Sequence, residues 1–261
     1  MRPIELPYSK LSECPGGRLL EACCTSAEEV RRAIAGGAGR IELCARIDVG
    51  GVTPDDDTVR EAVAIGQDSD VPVNVLVRPR GGDFVYSAEE ETEMAVSIER
   101  ARALGAAGVV IGALHTDGSI DTGMMRRLIA VAHGNNTPLS VTFHRAFDEC
   151  SDPFEALEQI IRLGCDRLLT SGQAPCAYEG RDLIAELVKA AGGRIIIMPG
   201  AGITPDKLDA IAEATGAPEF HGTRICSGTK ISSVGDGLAG DFCPGRVAEG
   251  DQEPARPFPQ N

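Results

Sequence analysis

Leu19-Leu20-Glu21-Ala22-Cys23, the segment from Ser26 to Gly36, and Arg40-Ile41-Glu42-Leu43-Cys44 together decide the fold. The first and third pieces are short apolar runs in which side chains two apart share a face. Glu21 therefore sides with Cys23 and Glu42 with Cys44, while Leu20, Ala22, Ile41 and Leu43 take the opposite face. Between them Ala27–Ala35 has helical spacing, with Ser26 placed to cap its start and Gly36 to close it. Strand, helix and strand in this order form the unit of a parallel α/β fold. A carboxylate is almost never buried alone, so two matching Glu-x-Cys words suggest a site.

The same alternation continues outward. Apolar runs recur at Val71–Val77, Gly108–Ala113, Leu139–Phe143, Arg167–Thr170, Arg194–Met198 and Glu219–His221, with helical patterns such as Ser87–Leu104 and Pro153–Leu163 between them. Thr53 before Pro54, Asp152 before Pro153 and Thr204 before Pro205 are read as helix starts. Gly105, Gly134, Gly164, Gly192 and Gly216 are read as helix ends. Eight strands, each but the last followed by a helix, predict a single-domain (β/α)8 TIM barrel over residues 18–233. A doubly wound open sheet would place Gly-x-Gly-x-x-Gly after the first strand, and none is present. Residues 1–17 read as an N-terminal extension and the Gly/Pro/acid-rich 234–261 as a flexible tail.

Composition narrows the function classes. A net charge of −14 argues against general nucleic-acid binding, which needs a basic face. The chain lacks an apolar run of membrane-spanning length and a basic, apolar leader, so a cytoplasmic protein without membrane contact is expected. Nine cysteines, an odd number without Cys-x-x-Cys, read as reduced thiols rather than disulfides or a zinc knuckle.

In a barrel the site lies at the C-terminal ends of the strands. Strand three ends in Arg78-Pro79-Arg80-Gly81-Gly82-Asp83-Phe84, with Arg78 free to pair with Asp83 or to face a ligand. Strand five ends in Thr142-Phe143-His144-Arg145-Ala146-Phe147-Asp148, where Thr142 and His144 share a face. Glu21, Glu42, Arg78 and His144 are expected to converge at one rim. Leu169-Thr170-Ser171-Gly172 offers hydroxyl donors, and Gly200-Ala201-Gly202 before a helix start could cradle an anion or simply form a tight turn. His221 ends strand eight.

Three functions fit these residues. Cys23 and Cys44, on neighbouring strands, are close enough to share one soft metal ion, and equally fit a site with no metal beside the two carboxylates. Alternatively, Glu21, Glu42 and His144 divide acid and base roles, while Arg78, Arg145, Asp148, Ser171, Gly200, Gly202 and His221 hold a small anionic carboxylate or phosphate substrate of a lyase, isomerase or hydrolase. The third is an oligomeric scaffold whose rim carboxylates are closed in salt bridges.

The segments 78–84, 142–148, Leu169-Thr170-Ser171-Gly172 and Arg40-Ile41-Glu42-Leu43-Cys44, with Gly51-Val52-Thr53-Pro54 and Glu219-Phe220-His221, resemble the signature segments of the copper homeostasis protein CutC family. The resemblance runs in matching order from about Leu19 to His221. It implies a cytosolic TIM barrel, homo-oligomeric as a dimer or tetramer, linked to copper tolerance and binding copper(I) through thiols that fall on Cys23 and Cys44, with no organic cofactor. Two departures stand out: Gly37-Ala38-Gly39-Arg40 lacks the family's acid before strand two, and Gly222-Thr223-Arg224 follows His221 where Cys or Ser and a small residue are usual.

Overall fold

Period-two alternation in the sequence becomes a two-faced parallel sheet. The structure, a computed structural model, describes residues 17–134 and 137–226. The strands are β1 (Leu19–Cys24), β2 (Arg40–Leu43), β3 (Val73–Leu76), β4 (Gly108–Ile111), β5 (Ser140–Phe143), β6 (Arg167–Thr170), β7 (Ile196–Pro199) and β8 (Glu219–Gly222). Between them run α1 (Ala27–Ala35), α2 (Asp56–Asp68), α3 (Ala88–Ala103), α4 (Thr122–His133), α5 (Pro153–Leu163), α6 (Arg181–Ala191) and α7 (Pro205–Thr215). All strand pairs are parallel, in the order β7-β6-β5-β4-β3-β2-β1-β8, and β7 lies beside β8 to bring the barrel round. This is the (β/α)8 architecture. The proposed extension, save Gly17, and the tail from 234 lie outside the described residues.

The outward strand face carries Ile41, Leu43, Val73, Val75, Val141 and Phe143, all buried against helix residues such as Val30, Met94, Leu128 and Leu157. Burying side chains of this size contributes about 1.5–3 kcal/mol each, which makes this shell the main source of stability. The lumen is different. Glu21, Arg40, Glu42, Asn74, Thr142, Arg167, Glu219 and His221 are all buried there, with an apolar group of Cys23, Cys44, Leu76 and Val110 and, beside Arg40 and His221, Met198 and Leu169. Barrels of this type are usually filled by branched apolar layers; here charge occupies that space, so its pairing has to be accounted for.

Most helix boundaries follow the sequence reading. Ser26 accepts from the Glu29 amide, Asp152 from Phe154 and Glu155, and Ser87 with Glu90 closes a reciprocal capping box. The start of α2 needs correcting. Its cap is Asp55, which accepts from the Thr58 amide. The Thr53 hydroxyl is instead used across the barrel rim, accepting from the Arg78 amide at 2.9 Å. Among the described residues, no helix is long and apolar enough to cross a membrane.

Candidate functional site

Strand parity and barrel closure assemble the site from β8, β1 and β2. Glu21 lies in register with Arg40 on one side and His221 on the other, and Cys23 with Glu42. Because paired residues in parallel strands share a face, all five point into the lumen. Deepest is a four-member charge network. The Arg40 guanidinium donates from Nε to Glu21 and from Nη2 to Glu219 Oε2 at 2.6 Å, and Arg167 Nε donates to the same Glu219 oxygen at 2.8 Å. Two cations thus meet two anions out of water, which is the condition under which buried charge is tolerated.

Glu21 has a second partner. Its Oε1 accepts from His221 Nδ1 at 2.8 Å, which commits that ring nitrogen and leaves Nε2, 4.0 Å from Glu42 Oε1. A His221 nitrogen, Cys23 Sγ and a Glu42 carboxylate oxygen lie within 4.8 Å of one another. Cys44 Sγ is 3.5 Å from Cys23 Sγ. Glu42 Oε2 is buried without a protein partner. Gly200 makes room for this corner, since a Cβ there would lie 2.5 Å from a Leu169 methyl and 3.4 Å from the His221 ring.

Electrostatics separate the two glutamates. Burial alone would raise Glu21, but Arg40 and His221 more than offset it and hold this carboxyl well below the usual range. Burial, reinforced by Glu21, outweighs the attraction of His221 at Glu42 and pushes its carboxyl up to about 7. Burial would depress His221, yet Glu42 and Glu21 together raise it. The Cys23 thiol is pushed up by its contact with Cys44, by burial and by Glu42. Two buried thiols beside an imidazole make a soft donor set.

The remaining expected residues form two separate groups. Arg78 is spent on backbone: it donates to the carbonyls of Val49 (3.1 Å), Gly51 (2.9 Å) and Gly82 (2.6 Å) and stacks 4.7 Å over Phe84. Asp83 pairs with Arg80 at 3.0 Å, not with Arg78. His144 packs on the other side of Phe84, 5.0 Å between rings, and its Nδ1 accepts from the Ala146 amide. Burial, with Arg78 and Arg145 nearby, drives His144 down to about 3, so it is neutral at physiological pH. Asp148 is closed as well. It accepts from Arg145 Nε (2.8 Å), Thr170 Oγ1 (2.5 Å) and both the amide and hydroxyl of Ser171. The Gly200 amide already donates to the Thr170 carbonyl, and Gly202 is a positive-φ residue of the turn before α7.

Sequence reasoning missed Arg40, Arg167 and Glu219. The signal was present for two of them. Arg40 precedes Glu42 by two and Glu219 precedes His221 by two, so parity already placed both on the lumen face.

The CutC family profile matches residues 18–226. A CutC family protein from Parabacteroides distasonis is 53% identical over 204 residues, covering 78% of this chain and 82% of that protein. The Mus musculus protein named copper homeostasis protein cutC homolog is 47% identical over 205 residues, covering 78% and 73%. Among solved structures, a copper homeostasis protein CutC from Streptococcus agalactiae aligns with a TM-score of 0.75 at 34% identity, covering 80% of this chain and 99% of that one. Thiamine phosphate pyrophosphorylase from Pyrococcus furiosus, at 15% identity and a TM-score of 0.54, shares the fold alone. Profile, sequence relatives and barrel agree over the same residues, and the chain belongs to the CutC family.

Proposed function

We propose that this protein binds Cu(I) at the C-terminal rim of its barrel, through the thiols of Cys23 and Cys44, as part of cytoplasmic copper homeostasis. The observation that carries the reading is the 3.5 Å approach of two free, buried thiols in the lumen, beside His221 and Glu42. Soft sulfur donors favour Cu(I) over the harder divalent ions that carboxylates attract. Binding forms two metal–sulfur bonds and releases two thiol protons, so a high thiol pKa selects for an ion that competes strongly with the proton. A homo-oligomer, dimer or tetramer, accompanies this reading.

An enzyme acting on a small anion has weaker support. Its clamp would need free guanidinium groups, and Arg78 and Arg145 already donate to protein acceptors. Anaerobic Cu(I) titration against a competing chelator tests the proposal, with the parent compared with Cys23→Ser and Cys44→Ser. The parent is expected to take up one equivalent tightly, and each variant to lose that site. Unchanged stoichiometric binding in both variants would remove the thiol pair from consideration.

A further inference from the structure

We infer that His221 is the third ligand of the Cu(I) centre, bonding through Nε2, and that Glu21 is the positioning residue that aims it. This inference rests on the thiol-pair reading and adds a ligand and its support to it. It also assigns a role to a residue on the last strand that the two thiols alone leave unexplained.

The first argument is spacing. With metal–sulfur bonds of about 2.3 Å, two sulfurs on opposite sides of one ion stand about 4.6 Å apart, whereas two of three ligands in a trigonal plane stand about 4.0 Å apart. The observed 3.5 Å separation is short for the linear arrangement and nearer the trigonal one. A planar three-ligand centre leaves one position to fill. A His221 nitrogen lies within 4.8 Å of Cys23 Sγ, and Cys44 Sγ lies 3.5 Å from the same sulfur, so Cys23 is the donor common to both and a shared ion draws the ring and the second thiol toward it.

The second argument is orientation. Ligating histidines characteristically donate their other ring N–H to a carboxylate, which fixes the ring and raises its donor strength. Here the carboxylate is present: Glu21 Oε1 takes His221 Nδ1 at 2.8 Å. Glu21 cannot swing away, because its other oxygen is held by Arg40 and the side chain is wholly buried. Arg40 is held in turn by Glu219, two residues before His221 on the same strand. The ring is thus fixed from two directions, with Nε2 left on the side of Glu42.

The third argument is ligand choice. Glu42 also reaches this corner. Cu(I) takes imidazole in preference to a carboxylate oxygen, since the softer donor suits the softer ion. Glu42 is therefore a flanking group and His221 the ligand.

X-ray absorption at the copper edge tests this on the full chain loaded anaerobically with one equivalent of Cu(I). The parent is expected to show two sulfurs and one nitrogen. His221→Ala should retain copper on two sulfurs alone, with affinity reduced about 10- to 100-fold. Glu21→Gln keeps an acceptor for Nδ1–H and should keep the nitrogen, whereas Glu21→Leu should lose it. A parent spectrum with two sulfurs and no nitrogen overturns the inference, as does a His221→Ala spectrum identical to the parent's. Retention of the nitrogen in a folded Glu21→Leu protein overturns the positioning role. The parent spectrum decides the ligand set even if Glu21→Leu does not fold. Failure of the thiol reading looks different, since copper binding would then survive Cys23→Ser and Cys44→Ser together with any change at His221.

Discussion

Arg40 and Glu219 stand 179 residues apart in the chain and 2.6 Å apart in the lumen. Their contact joins β2 to β8 across β1, so strands that do not pair directly are tied through the barrel interior. Removing one member leaves charge buried without a partner. Arg40→Met is expected to lower stability by about 3–5 kcal/mol, because Glu21 is left with His221 alone and Glu219 with Arg167 alone, one negative charge in excess. Urea unfolding measures it. Adding Glu21→Gln to Arg40→Met should recover part of the loss, since the excess carboxylate is then neutral while Glu219 keeps Arg167.

Glu42 makes stability depend on pH. Its folded value of about 7 lies above the ordinary 4.5, so between these limits the folded state binds more protons than the unfolded chain. Stability therefore falls as pH rises from about 4.5 to 7 and this contribution is flat above. The gap corresponds to about 3 kcal/mol. His221, raised in the fold, adds stability below 6.5 that is lost as pH climbs through its folded value, which extends the decline upward. Glu42→Gln should be more stable than the parent at pH 8 and nearly equal at pH 4.5. Unfolding free energies across that range check it, and parallel curves would contradict it.

Arg78 fastens two loops. In Arg78→Lys a single ammonium cannot reach the carbonyls of Val49, Gly51 and Gly82 together. Amide hydrogen exchange should quicken in residues 46–53 and 79–83, with a stability loss of about 1–3 kcal/mol. Exchange unchanged in both loops would show that the fastening is dispensable.

Asp148 is a carboxylate surrounded by donors. Asp148→Asn replaces one acceptor oxygen with an NH2 group facing the Arg145 and Ser171 donors. The expected cost is about 2–3 kcal/mol. In a thermal melt this lowers the midpoint by roughly 5–10 °C.

Faces and caps were legible in the sequence; partners were not. Parity put Glu21 with Cys23, Glu42 with Cys44 and Thr142 with His144 on shared faces, and the structure buries each of them. The Ser26 and Asp152 caps could be read because capping depends on residues only two or three positions away. Thr53 was misread because the carbonyl and amide competing for its hydroxyl belong to Arg78, on a different strand. Of the four residues expected at one rim, Glu21 and Glu42 meet His221, while Arg78 and His144 both pack on Phe84. Spacing tells which way a side chain points, but closure of the barrel decides which charges neutralise one another, and Glu21 finds His221 200 positions away.

That closure orders events during synthesis. Both thiols lie in the first βαβ unit and leave the ribosome early, but the imidazole and the second counter-charge of Arg40 arrive only with β8. A growing chain therefore carries sulfur without the rest of the donor set, and its buried arginine stays short of an anion until the final strand docks. Completion of the lumen's charge network and closure of the barrel are then one event, and a product truncated before β8 would lack the Glu219 partner of Arg40 and the His221 partner of Glu21.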